Sequence, residues 1–154
     1  MTKIYFDMDG TVYGLYQLKN WLCMLEEERE EVFSIGSPLV DMDSLCKMAN
    51  KMMASGFTFG IITWLPKNAT HEYEMRCAHA KEEWKNRFMP FVSEFHAIPY
   101  GVPKHEMVTV KNHTVVLFDD NAEVRKDWTA SNERIAYDVN NIMEVLEMIY
   151  RKGV

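Results

Sequence analysis

The sequence predicts an α/β fold built on a doubly wound, mainly parallel five-stranded sheet. Five short apolar segments alternate with segments of helical periodicity, which is the pattern of strand–helix–strand units. The second and fourth apolar segments are nearly uninterrupted, as expected for strands that are covered on both faces. The chain has 154 residues, so we expect a single domain over residues 1–154 with a substantial core.

The strands and helices follow one another along the chain. The predicted strands are Ile4–Asp7, Phe57–Thr63, Glu94–Ile98, Thr114–Phe118 and Arg134–Val139. Apolar residues at three- and four-residue steps predict helices within 42–53, 73–88 and 142–149. The alternation of the two element types favours a mainly parallel sheet.

Residues 13–55 separate the first two strands by more than a short connection. The segment opens with a helical stripe formed by Leu18, Trp21, Leu22 and Leu25. The acidic run 26–31 follows as a solvated helix face or end, and Ser37-Pro38 marks a break between helices. The segment is therefore either a plain crossover or a small helical lid above the first strand.

The charge and the composition exclude several classes of protein. The net charge is −6 and no stretch is strongly basic, so duplex nucleic acid is not an expected partner. No apolar run is long enough for a membrane span, and the N-terminus does not resemble a secretory signal. Three cysteines without a CxxC motif predict reduced thiols in a cytoplasmic protein, whose oligomeric state stays open.

The segment Lys3–Thr11 contains the strongest functional signal. Its apolar run ends in Asp7-Met-Asp9-Gly10-Thr11. Alternate residues of a strand project to the same side, so Asp7 and Asp9 are expected to face one pocket. Two close carboxylates repel each other and need a cation, a shared proton or a lysine. Gly10 permits a tight turn and leaves room for a ligand, although Asp-Gly is also a common turn dipeptide.

Three further positions fit the same chemistry. Thr63 closes the second strand, Asp119-Asp120 follow the fourth, and Lys104 lies between the third and fourth. Strand ends of open α/β sheets are where ligands bind. Each position has an ordinary alternative: Thr63 as a β-branched strand residue, Asp119-Asp120 as a helix N-cap pair, and Lys104 as a surface lysine. The other lysines considered for the site are Lys67, Lys81 and Lys111.

The combination of these motifs resembles the haloacid dehalogenase (HAD) superfamily of phosphatases. The motifs are DxDGT, a Thr at the end of a strand, a Lys, and a DD pair after an apolar strand. The segments FDMDGTVYG and LFDDN are most similar to its 5'-nucleotidase and deoxyribonucleotidase members. The resemblance spans nearly the whole chain, but no large domain fits between Thr63 and Tyr100, so the only room for a cap is 13–55. It implies a sheet in the order 3-2-1-4-5, with the first and fourth strands adjacent.

The resemblance also implies a role for each residue. Asp7 would attack phosphorus to form an aspartyl phosphate, and Asp9 would act as general acid and then base. Thr63 would bind a phosphoryl oxygen, and Lys104 would neutralise charge on Asp7 and the phosphoryl group. The Mg²⁺ site would comprise Asp7, Asp119, the Asp9 backbone carbonyl and, through water, Asp120.

The expected partner is a small phosphorylated substrate, with a nucleotide as the leading example. The candidate substrate contacts are Gly10, Thr11, Tyr13, Tyr16, Trp64 and Lys67. Aromatic side chains near the motifs could stack on a base or simply pack in the core. The alternatives are a phosphatase for polynucleotide ends, a phosphoacceptor signalling module, and a catalytically silent binding protein on the same fold.

Overall fold

The computed structural model describes residues 1–111, 113–131 and 133–153. Its strands are β1 (Thr2–Phe6), β2 (Thr58–Trp64), β3 (Glu94–Ile98), β4 (Thr114–Phe118) and β5 (Arg134–Tyr137). All neighbouring strands pair in parallel, in the order β3-β2-β1-β4-β5. The predicted fold class and strand order are therefore confirmed. Five strand boundaries shift by one or two residues: both ends of β1, both ends of β2, and the end of β5 at Tyr137.

Five helices and two short 3-10 helices connect the strands within the described residues. They are α1 (Trp21–Glu26), α2 (Met42–Met53), α3 (His71–Phe88), α4 (Ala122–Trp128) and α5 (Ile142–Lys152), with 3-10 helices at Glu30–Phe33 and Lys104–Met107. Several of these helices begin with an N-cap residue whose side chain accepts a hydrogen bond from a free backbone N–H group of the first turn. Asp41 caps α2 in this way, and Thr70 Oγ1 caps α3 by accepting a bond from the Tyr73 N–H. No helix among the described residues is long and apolar enough to cross a membrane.

The sheet separates two apolar clusters because successive side chains of a strand point to opposite faces. Ile4 and Phe6 of β1 lie in the larger cluster, together with buried residues of α2, α3 and α5. Tyr5, between them in sequence, lies in the smaller cluster with Trp128 of α4. Helices thus cover both faces, which explains the nearly continuous apolar sequences of the central strands.

The segment 13–55 divides into two parts with different roles. Hydrogen bonds of 2.9 Å from Gly14 N to Ser37 O and from Leu39 N to Val12 O hold its first part closed at the base. We call residues 15–36, which contain α1 and the first 3-10 helix, the lid segment. Helix α2 is an ordinary crossover helix that contacts β2 and α5.

Candidate active site

Asp7 and Asp119 lie side by side at the carboxyl edge of the sheet. Phe6 and Phe118, the residues before them, are register partners of the adjacent strands β1 and β4. The hydrogen bonding continues one residue further, since Asp7 N donates to Phe118 O at 2.9 Å. Backbone pairing therefore determines the separation of these two carboxylates, although they are distant in sequence.

Lys104 bridges the two carboxylates. Its Nζ lies 2.6 Å from Asp7 Oδ1 and 2.7 Å from Asp119 Oδ2, and the residue is only 3% exposed. Burial acts to lower the pKa of Lys104, but the charges of Asp7 and Asp119 outweigh it and raise that pKa above its usual value. Lys104 is therefore a charged, buried ion-pair partner and not a surface lysine.

Asp120 completes an acidic cluster with these two residues. One carboxylate oxygen each from Asp7, Asp119 and Asp120 lies within 4.8 Å of the others. Burial, and next the charge of Asp7, raises the pKa of both Asp119 and Asp120 to about 6. The cluster thus holds more negative charge than Lys104 compensates.

Asp9 also lines the cavity floor, where it contacts a second lysine. Lys81 of α3 has no exposed surface, and its Nζ donates to Asp9 Oδ2 at 2.7 Å. The other carboxylate oxygen, Asp9 Oδ1, is buried and has no hydrogen-bond partner among the described residues. Burial raises the pKa of Asp9, Lys81 lowers it, and the net shift is upward. A carboxyl group with a raised pKa is suited to carrying a proton.

Thr63 does not occupy the expected position. It has no exposed surface, does not line the cavity, and its Oγ1 accepts a bond of 2.8 Å from Lys81. A direct contact with a phosphoryl oxygen is therefore not supported by its location. Its contact with Asp9 is indirect, through Lys81.

The turn after Asp9 is tightly packed. Gly10 has φ +80°, and a Cβ at this position would lie 2.4 Å from Asp120 Oδ2 and 2.8 Å from Tyr16 Cε2. Thr11 is buried and its hydroxyl donates to Asp7 Oδ2 at 3.2 Å. Gly10 therefore permits the turn and the position of Asp120, while Thr11 orients Asp7; neither lines the cavity.

Helix α4 begins directly after the acidic pair, but neither aspartate caps it. The N-cap is Asn121, whose side chain accepts bonds from the backbone N–H groups of Glu123 and Val124. Asn121 in turn donates its own N–H to Asp119 Oδ1 at 2.9 Å. The N-cap alternative for Asp119-Asp120 is thus wrong.

A cavity of about 370 Å³ opens above this floor. Asp7, Asp9, Lys104, Asp119 and Asp120 line its base. The lid segment contributes Leu15, Tyr16, Trp21, Leu22, Leu25 and Phe33, and the strand ends contribute Trp64, Leu65, Pro66, Lys67 and Tyr100. A polar, acidic base under largely apolar and aromatic walls is typical of a site for a small amphipathic molecule.

Two aromatic pairs form part of the cavity wall. Trp64 and Tyr100 have ring centroids 4.9 Å apart, and Tyr16 and Trp21 lie 5.2 Å apart in an edge-to-face arrangement. Lys67 places its Nζ 5.8 Å from the centroid of the Tyr100 ring. Tyr16 is half exposed and available to a ligand, whereas the Trp64 indole N–H already donates to Val102 O.

Tyr13 is a core residue and does not contact the cavity. It is fully buried, its hydroxyl donates to Val32 O and accepts from Gly36 N at 2.7 Å, and its ring packs on Trp84. The expectation that Tyr13 stacks on a substrate is therefore not supported. Its contacts instead hold the lid segment to α3.

No protein-family model matches this sequence, and no curated protein matches it. The function therefore has to be argued from the geometry and the chemistry of the site.

The largest difference from the sequence-based expectation is the role of Lys81. The sequence offers Lys81 only as one of several alternatives to Lys104, yet in the structure it contacts the predicted site residues Asp9 and Thr63. A usable signal was present: Lys81 lies four residues after Cys77 and three before Trp84, on the stripe that faces the core. A lysine on a buried stripe requires partners, and these are the Asp9 carboxylate, the Thr63 hydroxyl and the Trp64 carbonyl.

Proposed function

We propose that this protein is a Mg²⁺-dependent phosphomonoester hydrolase of the HAD type that acts through an aspartyl-phosphate intermediate. One observation supports this most: Asp7 and Asp119 meet at the carboxyl ends of adjacent parallel strands, bridged by buried Lys104, with Asp9 beside them. This arrangement supplies a nucleophile, a positive charge to stabilise a phosphoryl group, and a separate proton donor.

The proposed reaction proceeds in two steps that conserve atoms and protons. A carboxylate oxygen of Asp7 attacks phosphorus, the ester P–O bond breaks, and the leaving oxygen takes the proton of Asp9. A water molecule then attacks the phosphorus of the phosphoaspartate and transfers a proton to Asp9. The bond between phosphorus and the Asp7 oxygen breaks, which releases inorganic phosphate and restores the Asp7 carboxylate. The raised pKa of Asp9 favours the protonated form that the first step needs.

The donor set of the site fits Mg²⁺. The four carboxylates carry four negative charges when ionised, against two positive charges on Lys81 and Lys104, so two remain uncompensated. Asp7 and Asp119, with Asp120 beside them, would hold the ion, since Mg²⁺ prefers a few carboxylates together with water and phosphate oxygens. When bound, Mg²⁺ supplies charge stabilisation for the phosphoryl oxygens.

The cavity supports a small substrate with an aromatic or apolar alcohol portion, for which a nucleoside monophosphate is the leading candidate. Its walls come from the lid segment and from aromatic residues such as Trp64 and Tyr100. A lid that covers the acidic base favours a small ester over a polynucleotide end. The position of Asp9 favours hydrolysis over a phosphoacceptor role, since a long-lived phosphoaspartate does not require an acid–base group.

A cytoplasmic location is part of the proposal. Cys23, Cys46 and Cys77 are all unpaired thiols, and Cys23 is exposed. Thiols that stay unpaired are typical of reducing compartments.

The experiment that tests the proposed function separates the two leading carboxylates. Wild type, Asp7→Asn, Asp9→Asn and the control Asp43→Asn, which alters an exposed carboxylate on α2, are assayed with aryl and alkyl phosphates in Mg²⁺ and in EDTA. Asp7→Asn is expected to lose phosphoenzyme formation. Asp9→Asn is expected to lose about 10²–10⁴-fold on alkyl esters and less on aryl esters, whose leaving groups need less protonation. Full activity in EDTA, or no turnover by wild type across a panel of phosphate esters, would exclude the proposed function.

A further inference from the structure

Lys81 is a buried cation with every donor used, and the proposed reaction assigns it no role. Its Nζ donates to Asp9 Oδ2 at 2.7 Å, to Thr63 Oγ1 at 2.8 Å and to the backbone O of Trp64 at 2.8 Å. An ammonium group has three donors, so all of them are satisfied. With no exposed surface, the group cannot exchange these partners for water.

Two of the three bonds hold the ammonium to strand β2. Thr63 and Trp64 are the last residues of that strand, and Trp64 O is a backbone atom whose position the sheet determines. The third bond reaches Asp9, which follows the neighbouring strand β1. Lys81 therefore connects the end of β2 to the Asp9 carboxylate.

The contact also distinguishes the two oxygens of Asp9. Oδ2 is occupied by Lys81, whereas Oδ1 is buried without a hydrogen-bond partner in the described part of the chain. A buried carboxylate oxygen without a partner is unfavourable unless a ligand or a proton satisfies it. Lys81 thus fixes one oxygen of Asp9, while the other lacks a protein partner that could hold the carboxyl group instead.

We infer that Lys81 is a positioning residue, anchored by Thr63 and Trp64, that holds the Asp9 carboxyl group in place at the cavity for proton transfer. This inference rests on the proposed hydrolase function. Thr63 then acts on the reaction through Lys81 and Asp9, and not by binding the phosphoryl group.

If Thr63 acts through Lys81 and Asp9, its substitution should change kcat and not KM. Thr63→Val removes one anchor of Lys81 with little change in volume, so it should lower kcat for alkyl phosphates and leave KM unchanged. The matched control is Thr58→Val at the other end of β2, because Thr58 Oγ1 is buried and has no hydrogen-bond partner among the residues that the structure describes. A direct phosphoryl contact by Thr63 would instead raise KM for alkyl and aryl phosphates alike.

A double-mutant cycle tests the path through Asp9. Lys81→Met, Asp9→Asn and the double variant are compared for alkyl phosphate turnover, with Lys85→Met on the same helix as control. Lys81→Met should lower kcat at least tenfold, and the double variant should be within about threefold of Asp9→Asn, because residues that act as one unit are non-additive. With an aryl phosphate, Lys81→Met should still show a burst close to one equivalent of phenolate, since Asp7 remains able to attack.

The outcomes distinguish the inference from the function on which it rests. Additive losses in the cycle, wild-type turnover by Lys81→Met, or a raised KM in Thr63→Val would overturn the inference while wild-type hydrolysis stands. If the phenolate burst of Lys81→Met falls in proportion to its turnover, part of the variant protein is inactive, and Lys81 has only a structural role. Should Lys81→Met fail to fold, Lys81→Gln, which keeps amide donors at a similar position, replaces it in the same cycle. Wild type without hydrolase activity would remove both the function and the inference.

Discussion

If the proposed Mg²⁺ site is correct, a methyl group added at Gly10 should weaken Mg²⁺ binding at this site in a measurable way. Gly10 and Gly56 both have positive φ angles, +80° and +90°. Alanine in the left-handed region costs about 1–2 kcal/mol in either place. Gly10→Ala and Gly56→Ala therefore share the backbone cost, which corresponds to a fall in Tm of about 2–8 °C for a domain of this size.

The two substitutions differ in what the new Cβ meets. At Gly56 nothing lies within 4 Å, whereas at Gly10 the Cβ would lie 2.4 Å from Asp120 Oδ2. Ordinary contact begins at 3.4 Å, so the Asp120 carboxylate must move by about 1 Å. Mg²⁺ demands near-ideal octahedral geometry, and we expect the Mg²⁺ concentration for half-maximal activity to rise about 10–100-fold in Gly10→Ala.

The measurement is a Mg²⁺ titration of aryl phosphate hydrolysis for wild type and both variants. Thermal unfolding with and without Mg²⁺ gives a second readout that does not depend on turnover. Gly56→Ala should keep the wild-type Mg²⁺ dependence despite its lower Tm. Equal Mg²⁺ dependence in the two alanine variants would refute a role for Asp120 in holding the ion.

Three further predictions concern charge and specificity. The folded-state pKa of Asp119, about 6, exceeds the unfolded value of about 3.9, so the stabilisation it gives the metal-free protein is present below pH 4 and is lost as the pH rises through 6. In urea unfolding with EDTA, this carboxyl group should therefore contribute up to about 3 kcal/mol less to the free energy of unfolding at pH 7.5 than at pH 4, and a larger contribution at pH 7.5 would contradict the prediction. Lys104→Met leaves Asp7 facing Asp119 without a cation and should cost about 3–5 kcal/mol at pH 7.5 but less at pH 5, where Asp119 takes up a proton; equal losses at both pH values would exclude the ion-pair role. Tyr16→Ala and Trp64→Ala should raise KM for nucleoside monophosphates about tenfold or more while sparing a small aryl phosphate, and equal losses on both substrates would make these aromatics structural.

In the proposed function, the balance of charges gives each lysine and the metal ion a separate role. Lys104 compensates the carboxylates on the nucleophile side, and Lys81 compensates Asp9. Each lysine is confined to its own carboxylates by burial, so neither can serve the whole cluster. Asp120 forms no ion pair with a lysine among the described residues, and a divalent ion beside it would supply the missing charge.

The order of the strands and the meeting of Asp7 with Asp119 could be predicted from the sequence. Apolar strand segments, helical periodicity and aspartates at strand ends are local patterns that predict a parallel sheet with a functional carboxyl edge, and the family resemblance implies the strand order. Strand ends shifted by one or two residues, because the last hydrogen bonds of a strand depend on its neighbours.

Only the tertiary structure decided which lysine meets which carboxylate and which aromatic residues reach the cavity. Lys104 and Asp7 are 97 residues apart, and Lys81 and Asp9 are 72 apart, so no local pattern links them. Tyr13 and Tyr16 are the same residue type and lie three residues apart, yet Tyr13 is in the core and Tyr16 is half exposed. Burial is a property of the packed chain: a side chain becomes part of the core or of the site according to the elements that fold against it.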